Sequence, residues 1–115
     1  MSRASDLTFM RTFSGGDHEK IKKYVGMFIK MAAPSLSQMD ESSANSDWKS
    51  LKTTSHSLKS QMKYMGMASG AEFAQRIENI CGDGAGTEEI PELLANLRTQ
   101  VEQAIAELED ELSKL

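Results

Sequence analysis

Apolar residues recur along this chain at helical spacing. Ile21, Val25 and Phe28 share one face, with Tyr24 and Met31 in support, and Leu36 and Met39 continue it. Trp48, Leu51, Leu58, Met62 and Met65 form a second stripe, and Phe73, Ile77 and Ile80 a third. The last segment repeats Ile90, Leu94, Leu97, Val101, Ala104, Leu108, Leu112 and Leu115. Each set follows the i, i+3, i+4, i+7 rule of an amphipathic helix, and no stretch alternates with the period of two that a half-buried strand needs. Four main helices, plus a short one from about Leu7 to Phe13, predict an all-α fold, an antiparallel four-helix bundle with a short extra N-terminal helix. The final helix is long and is expected to overhang the bundle; it has too few heptads for a coiled-coil dimer.

The breaks between stripes are chemically marked. Gly15-Gly16-Asp17 interrupts the chain early, with Asp17 placed to cap the helix that follows. Pro34 is expected to interrupt or kink the next helical stretch. The polar run Glu41 to Asp47 reads as a turn, ending in a second N-cap, Asp47. Gly66 and Gly70 are expected to flank a short break. Gly82 to Thr87 reads as a flexible connector, with Thr87 or a neighbour capping the last helix.

Composition narrows the class. A chain of 115 residues suits one domain over 1–115, either alone or as a module of a longer protein, and it can bury a core without disulfide or metal staples. A net charge of −4 with no Lys/Arg run gives no nucleic-acid face. The single cysteine, Cys81, excludes an internal disulfide and fits a reduced compartment as a small buried hydrophobe. No apolar stretch approaches the roughly 18 residues of a membrane span, and the N-terminus has no signal-peptide core. A soluble, cytoplasmic monomer is expected.

Candidate chemistry centres on His56. With about 100° per residue and Leu51 at the centre of the core face, Ser55, Leu58, Met62 and Met65 fall within about 40° of that centre. His56 then lies near about 140°, Lys63 about 120°, Met67 about 160° and Ser60 about 180°. An outward histidine is most often a plain surface residue, and surface lysines most often a solvated flank. Here Lys52, Lys59 and Lys63 all flank His56, where they could attract a dianionic phosphoryl group. An exposed imidazole is a competent nucleophile at cellular pH. His18 reads as a surface residue in a first helical turn, with no metal-ligand spacing to His56. The Gly82–Gly86 loop lacks the Lys-Ser/Thr ending of a phosphate-binding loop and follows no strand.

His56-Ser57-Leu58-Lys59-Ser60, followed by Met65-Gly66, resembles the signature of histidine-containing phosphotransfer (HPt) domains, roughly His-x-Leu-Lys-Gly with a Leu-Gly pair further on. The likeness extends more weakly to Gly15-Gly16-Asp17, Phe28 before Pro34, Asp47-Trp48 and the apolar last helix. It implies a phosphocarrier in two-component phosphorelays with no kinase activity of its own. His56 would accept the phosphoryl group, Lys59 would support the phosphorylated form, and Ser60 would stand where the family usually has glycine. Its hydroxyl could bond the imidazole or the phosphoryl group. Partners would be response-regulator receiver domains and a hybrid sensor histidine kinase, with no nucleic acid, no membrane, no cofactor and no metal. Bulk at Lys63 and Tyr64 departs from the family's small residues. Lys52, Lys63, Tyr64 and Met67 make a candidate docking surface around His56. The rival reading is a helical interaction module without chemistry, binding a partner helix through the same face or through the last helix. A hydrolase or metalloenzyme reading has no second catalytic group to support it.

Overall fold

Two aspartates open the first two long helices. Asp17 Oδ1 accepts hydrogen bonds from the Glu19 N–H (3.0 Å) and the Lys20 N–H (3.3 Å), starting α2 (His18–Ala44). Asp47 Oδ1 accepts from the Ser50 N–H at 3.2 Å and starts α3 (Trp48–Tyr64). The computed structural model describes residues 3–115, and among these it contains no strand. A short α1 (Thr8–Phe13) precedes α2; α4 (Ala68–Asp83) and α5 (Ile90–Ser113) complete the bundle, joined by a 3-10 turn at Thr87–Glu89. Each long helix packs on the next in the chain, α5 returns to pack on α2, and the α3–α4 pairing is the most extensive. Short connections make sequential neighbours antiparallel.

Most of the stripe residues read from the sequence form the core, but Tyr24 is exposed, Trp48, Phe73 and Ile80 are half-buried, and Met10 and Met67 join it from outside the stripes. Ile21, Phe28, Met39, Leu51, Leu58, Met62, Ile77, Ile90, Leu97 and Leu108 are all fully enclosed. An Arg98–Asp40 ion pair ties α5 to α2 on the outside.

Four expectations about breaks need correction, one of them the polar run Glu41 to Asp47, whose first four residues are still helix α2. α2 does not end at Pro34: it continues for ten further residues, to Ala44. Proline removes one N–H, but Pro34 is exposed, so water reaches the carbonyl left without its donor, while Ala32, Leu36 and Met39 keep the buried stripe intact. No side chain caps the last helix: Gly86, at φ +85°, precedes the 3-10 turn, and Pro91 opens the first turn of α5. Gly70 does not flank a break. It is buried inside α4, where a Cβ would come 3.0 Å from Met62 Sδ, so it lets α4 approach α3 closely.

The break itself is Gly66 alone. The Met67 N–H closes back onto the Met62 carbonyl at 2.9 Å, and Gly66 sits at φ +65°. The N-terminal segment crosses above this turn. The Asp6 N–H donates to the Met65 carbonyl at 2.9 Å, and a Cβ on Gly66 would lie 2.1 Å from the Asp6 carbonyl oxygen. Glycine is therefore required twice over, for its backbone angle and for the crossing.

Candidate functional site

α3 is oriented by burying Leu51, Ser55, Leu58 and Met62, so the residue after Ser55 must face out. That residue is His56, whose side chain is 62% exposed. Its Nδ1 lies 2.8 Å from Oε2 of Glu78, on α4. The other oxygen of the same carboxylate, Oε1, accepts from Lys59 Nζ at 2.7 Å. Lys59 also donates to Gln75 Oε1 at 2.7 Å, and the Gln75 amide donates in turn to Asn79 Oδ1 at 2.8 Å. Glu78 thus bridges the histidine and the lysine of α3 from the neighbouring helix.

The charge on Glu78 decides which ring nitrogen faces it as a donor. Partial burial pushes the Glu78 carboxyl up, but the hydrogen bonds from Lys59 and His56 outweigh it and hold the group below its ordinary value of 4.5. At neutral pH Glu78 is therefore a carboxylate, which can only accept. The proton between the two groups belongs to Nδ1 of His56. In the neutral ring this leaves the lone pair on Nε2, which has no hydrogen-bond partner among the described residues. The unpartnered nitrogen is thus carried on an exposed side chain whose other nitrogen is held by Glu78.

The expected flank is only partly present. Lys59 is almost buried, its side chain 10% exposed, and it faces α4 instead of standing beside the imidazole. Lys52 and Lys63 are exposed. Lys52 Nζ lies over the last turn of α4, 3.3 Å from where a Cβ on Gly82 would be, a position that favours a cation at a helix C-terminus. The Ser60 hydroxyl donates to the His56 carbonyl at 3.2 Å, so in this structure it serves the backbone and bonds neither ring nitrogen. Tyr64 is exposed, as expected. Met67 is not: it is fully buried at the residue preceding α4, because α3 ends at Tyr64 and the chain turns inward at Gly66. Met67 leaves the docking surface.

Tyr64 instead belongs to an aromatic cluster that helical spacing did not bring together. Phe9 and Phe13 of α1 stand against Tyr64, with ring centroids 5.6 Å and 6.2 Å away, and Phe13 meets Tyr24 of α2 edge-on at 6.2 Å. Phe9, Ser60, Lys63 and Tyr64 line a shallow depression that links this aromatic face to the turn of α3 beyond His56. Glu78 and Gln75 complete the site from α4 without a motif that marks them in the sequence. Their signal in the sequence is the i, i+3 spacing on α4, a neutral amide acceptor and a carboxylate that can both take hydrogen bonds from Lys59.

The other candidates stay apart. His18 opens α2 and Cys81 lies in the last turn of α4, half-buried, its thiol pushed up by burial; neither is hydrogen-bonded to His56. Among the described residues no group of three or more His, Cys, Asp or Glu side chains could hold a metal ion, and no helix is long and apolar enough to cross a membrane. In comparisons with known proteins, a family model described as Hpt domain matches residues 23–113. No curated protein and no solved structure matches the chain. The matched stretch contains His56, Lys59, Gln75 and Glu78, and leaves out α1.

Proposed function

This chain belongs to the Hpt domain family, and on that premise we propose that it is a phosphocarrier that takes a phosphoryl group from a receiver-domain aspartate on Nε2 of His56 and passes it to another receiver. The observation that carries this is the pairing of His56 Nδ1 with Glu78, which leaves Nε2 outward and unpartnered. In the forward step Nε2 attacks the phosphorus of an aspartyl phosphate in line. The N–P bond forms, the P–O bond to the aspartate breaks, and the aspartate leaves as a carboxylate. No proton need move, because the Nδ1–H stays on the ring. The ring acquires positive charge as the bond forms, and the Glu78 carboxylate, 2.8 Å from Nδ1, offsets it. Discharge onto a second receiver is the same step reversed.

Lys59 acts through Glu78: it orients the carboxylate and keeps it ionised. Lys52 and Lys63 supply positive charge at the mouth of the site. The metal and the in-line geometry belong to the receiver. Hybrid sensor kinases fit as the upstream source, and a cytoplasmic monomer working as one module fits the size and charge of the chain.

The decisive experiment incubates the protein with a phosphorylated receiver and follows acid-labile, base-stable label. Wild type should be labelled at a single histidine, and His56→Gln should fold and take none. The protein alone, with ATP and Mg²⁺, should not label itself. Label that persists in His56→Gln sinks the assignment, and binding to a receiver with no label on wild type favours a plain interaction module.

A further inference from the structure

The segment ahead of α2 lies outside the stretch matched by the family model, yet several side-chain contacts tie it to α5. Glu107, on α5, is the anchor. Its Oε2 accepts from the Ala4 N–H at 2.9 Å, and its Oε1 from the Ser5 N–H at 2.9 Å and the Ser5 hydroxyl at 2.6 Å. The Gln103 amide supports the carboxylate from one turn away, at 2.9 Å. Arg3 and Arg11 both reach Glu111, at 3.3 Å and 3.2 Å. Beyond this anchor the chain crosses Gly66 and buries Leu7 and Met10.

What the strap holds is α1, and α1 has only six residues. A helix that short does not persist alone, so its position depends on its attachments. Those attachments set Phe9 and Phe13 against Tyr64 and Tyr24, in a face whose residues remain 49%, 59%, 46% and 37% exposed. Met27, 55% exposed, extends it. Contiguous apolar surface of this kind marks an interaction site.

Its location names the occupant. Tyr64 lies two turns from His56 on α3, about 12 Å along the axis. A folded partner that brings an aspartyl phosphate to Nε2 buries about 800 Å² on this side, a disc of radius about 16 Å. A receiver seated on His56 therefore reaches Tyr64, the ring against which Phe9 and Phe13 are packed. Lys63, which shares a shallow depression with Phe9, Ser60 and Tyr64, puts a positive charge beside this face.

We infer that Glu107 is a positioning residue that latches α1 into the docking face of His56, and that Phe9 and Phe13 select the receiver that docks there. This rests on His56 being the acceptor. The test compares wild type, Glu107→Ala and the double variant Phe9→Ser/Phe13→Ser. Each is labelled with phosphoramidate, a small donor that needs no docking, and with a panel of receiver domains of the source organism loaded from acetyl phosphate. Backbone hydrogen exchange is followed in parallel.

In Glu107→Ala, protection should be lost in residues 8–14 and kept in α3 and α4. Labelling by phosphoramidate should stay within about twofold of wild type, while kcat/KM with the best receiver falls by about tenfold or more, mostly in KM. The double variant should keep its latch and still lose receiver transfer. Protection of residues 8–14 that survives in Glu107→Ala overturns the latch. Full receiver transfer in the double variant overturns the selecting role of α1. An equal loss with both donors marks Glu107 as merely structural. Wild type labelled by neither donor overturns the phosphocarrier reading, and the exchange result then stands or falls separately.

Discussion

Glu78 is asked to satisfy two cationic or proton-bearing partners with one carboxylate, and the partners are not equivalent. Lys59 is nearly enclosed, so its removal leaves a half-buried carboxylate short of a donor, at a cost of about 1–3 kcal/mol. Lys59→Met should therefore destabilise the fold in chemical denaturation by that amount and shorten the phosphohistidine lifetime without abolishing labelling. A stability loss near zero would return Lys59 to the role of a solvated flank. Glu78→Ala should cut the labelling rate by about 10- to 100-fold, the worth of a hydrogen bond to a charged group, with Glu78→Gln between it and wild type. Equal rates in Glu78→Ala and wild type would remove the carboxylate from the mechanism. His56 was legible in the sequence because its angle from the core face is large. Lys59, at about 80° from Leu51, sits on a boundary that a helical wheel cannot resolve. Whether such a flank meets solvent or a neighbour depends on how close α4 lies, and that depends on Gly70 and Ala74, which carry no hydrophobic signal of their own.

Helices were read well where a side chain starts them and less well where a backbone angle stops them. The Asp17 and Asp47 caps follow from chemistry local to a few residues. The end of α3 does not: Met62, Met65 and Met67 are all apolar, and only the left-handed Gly66 decides that Met67 turns inward. Gly66→Ala should cost about 2–3 kcal/mol in thermal or chemical unfolding, combining a strained backbone angle with a collision against the Asp6 backbone. The same substitution should also loosen residues 3–7, and a melting curve matching wild type would show that the crossing is slack. Pro34 is the opposite case. It breaks the local rule without breaking the helix, because tertiary burial on both sides outweighs one missing bond. Pro34→Ala should raise stability by about 1–3 kcal/mol. A drop in stability would mean that the proline shapes α2 in a way the bundle needs.

Across the molecule, acidity acts mainly where chain segments far apart in sequence are joined by a carboxylate. Glu107 joins residues 4 and 5 to α5. Burial pushes its carboxyl up, but hydrogen bonds from Ser5, Ala4 and Gln103 outweigh that and bring it from 4.5 down to about 2. A depressed carboxyl stabilises the fold most when both states are ionised, above its ordinary value. As pH falls below 4.5 the unfolded chain protonates first, and the advantage is gone once pH passes about 2. Glu78, depressed by Lys59 and His56 against burial, adds a term of the same sign. Arg3 and Arg11 add ion pairs to Glu111 on the same side of α5, and Arg3 also reaches Glu107. Partial solvent access screens the Glu107 contribution to on the order of 2 kcal/mol. Wild type should therefore exceed Glu107→Gln in unfolding free energy by about that much at neutral pH, and the gap should close as the solution is taken from the ordinary glutamate range towards about 2. Parallel pH profiles for the two proteins would show that the carboxylate charge contributes nothing, and that the strap is held by burial of Ala4, Leu7 and Met10 alone.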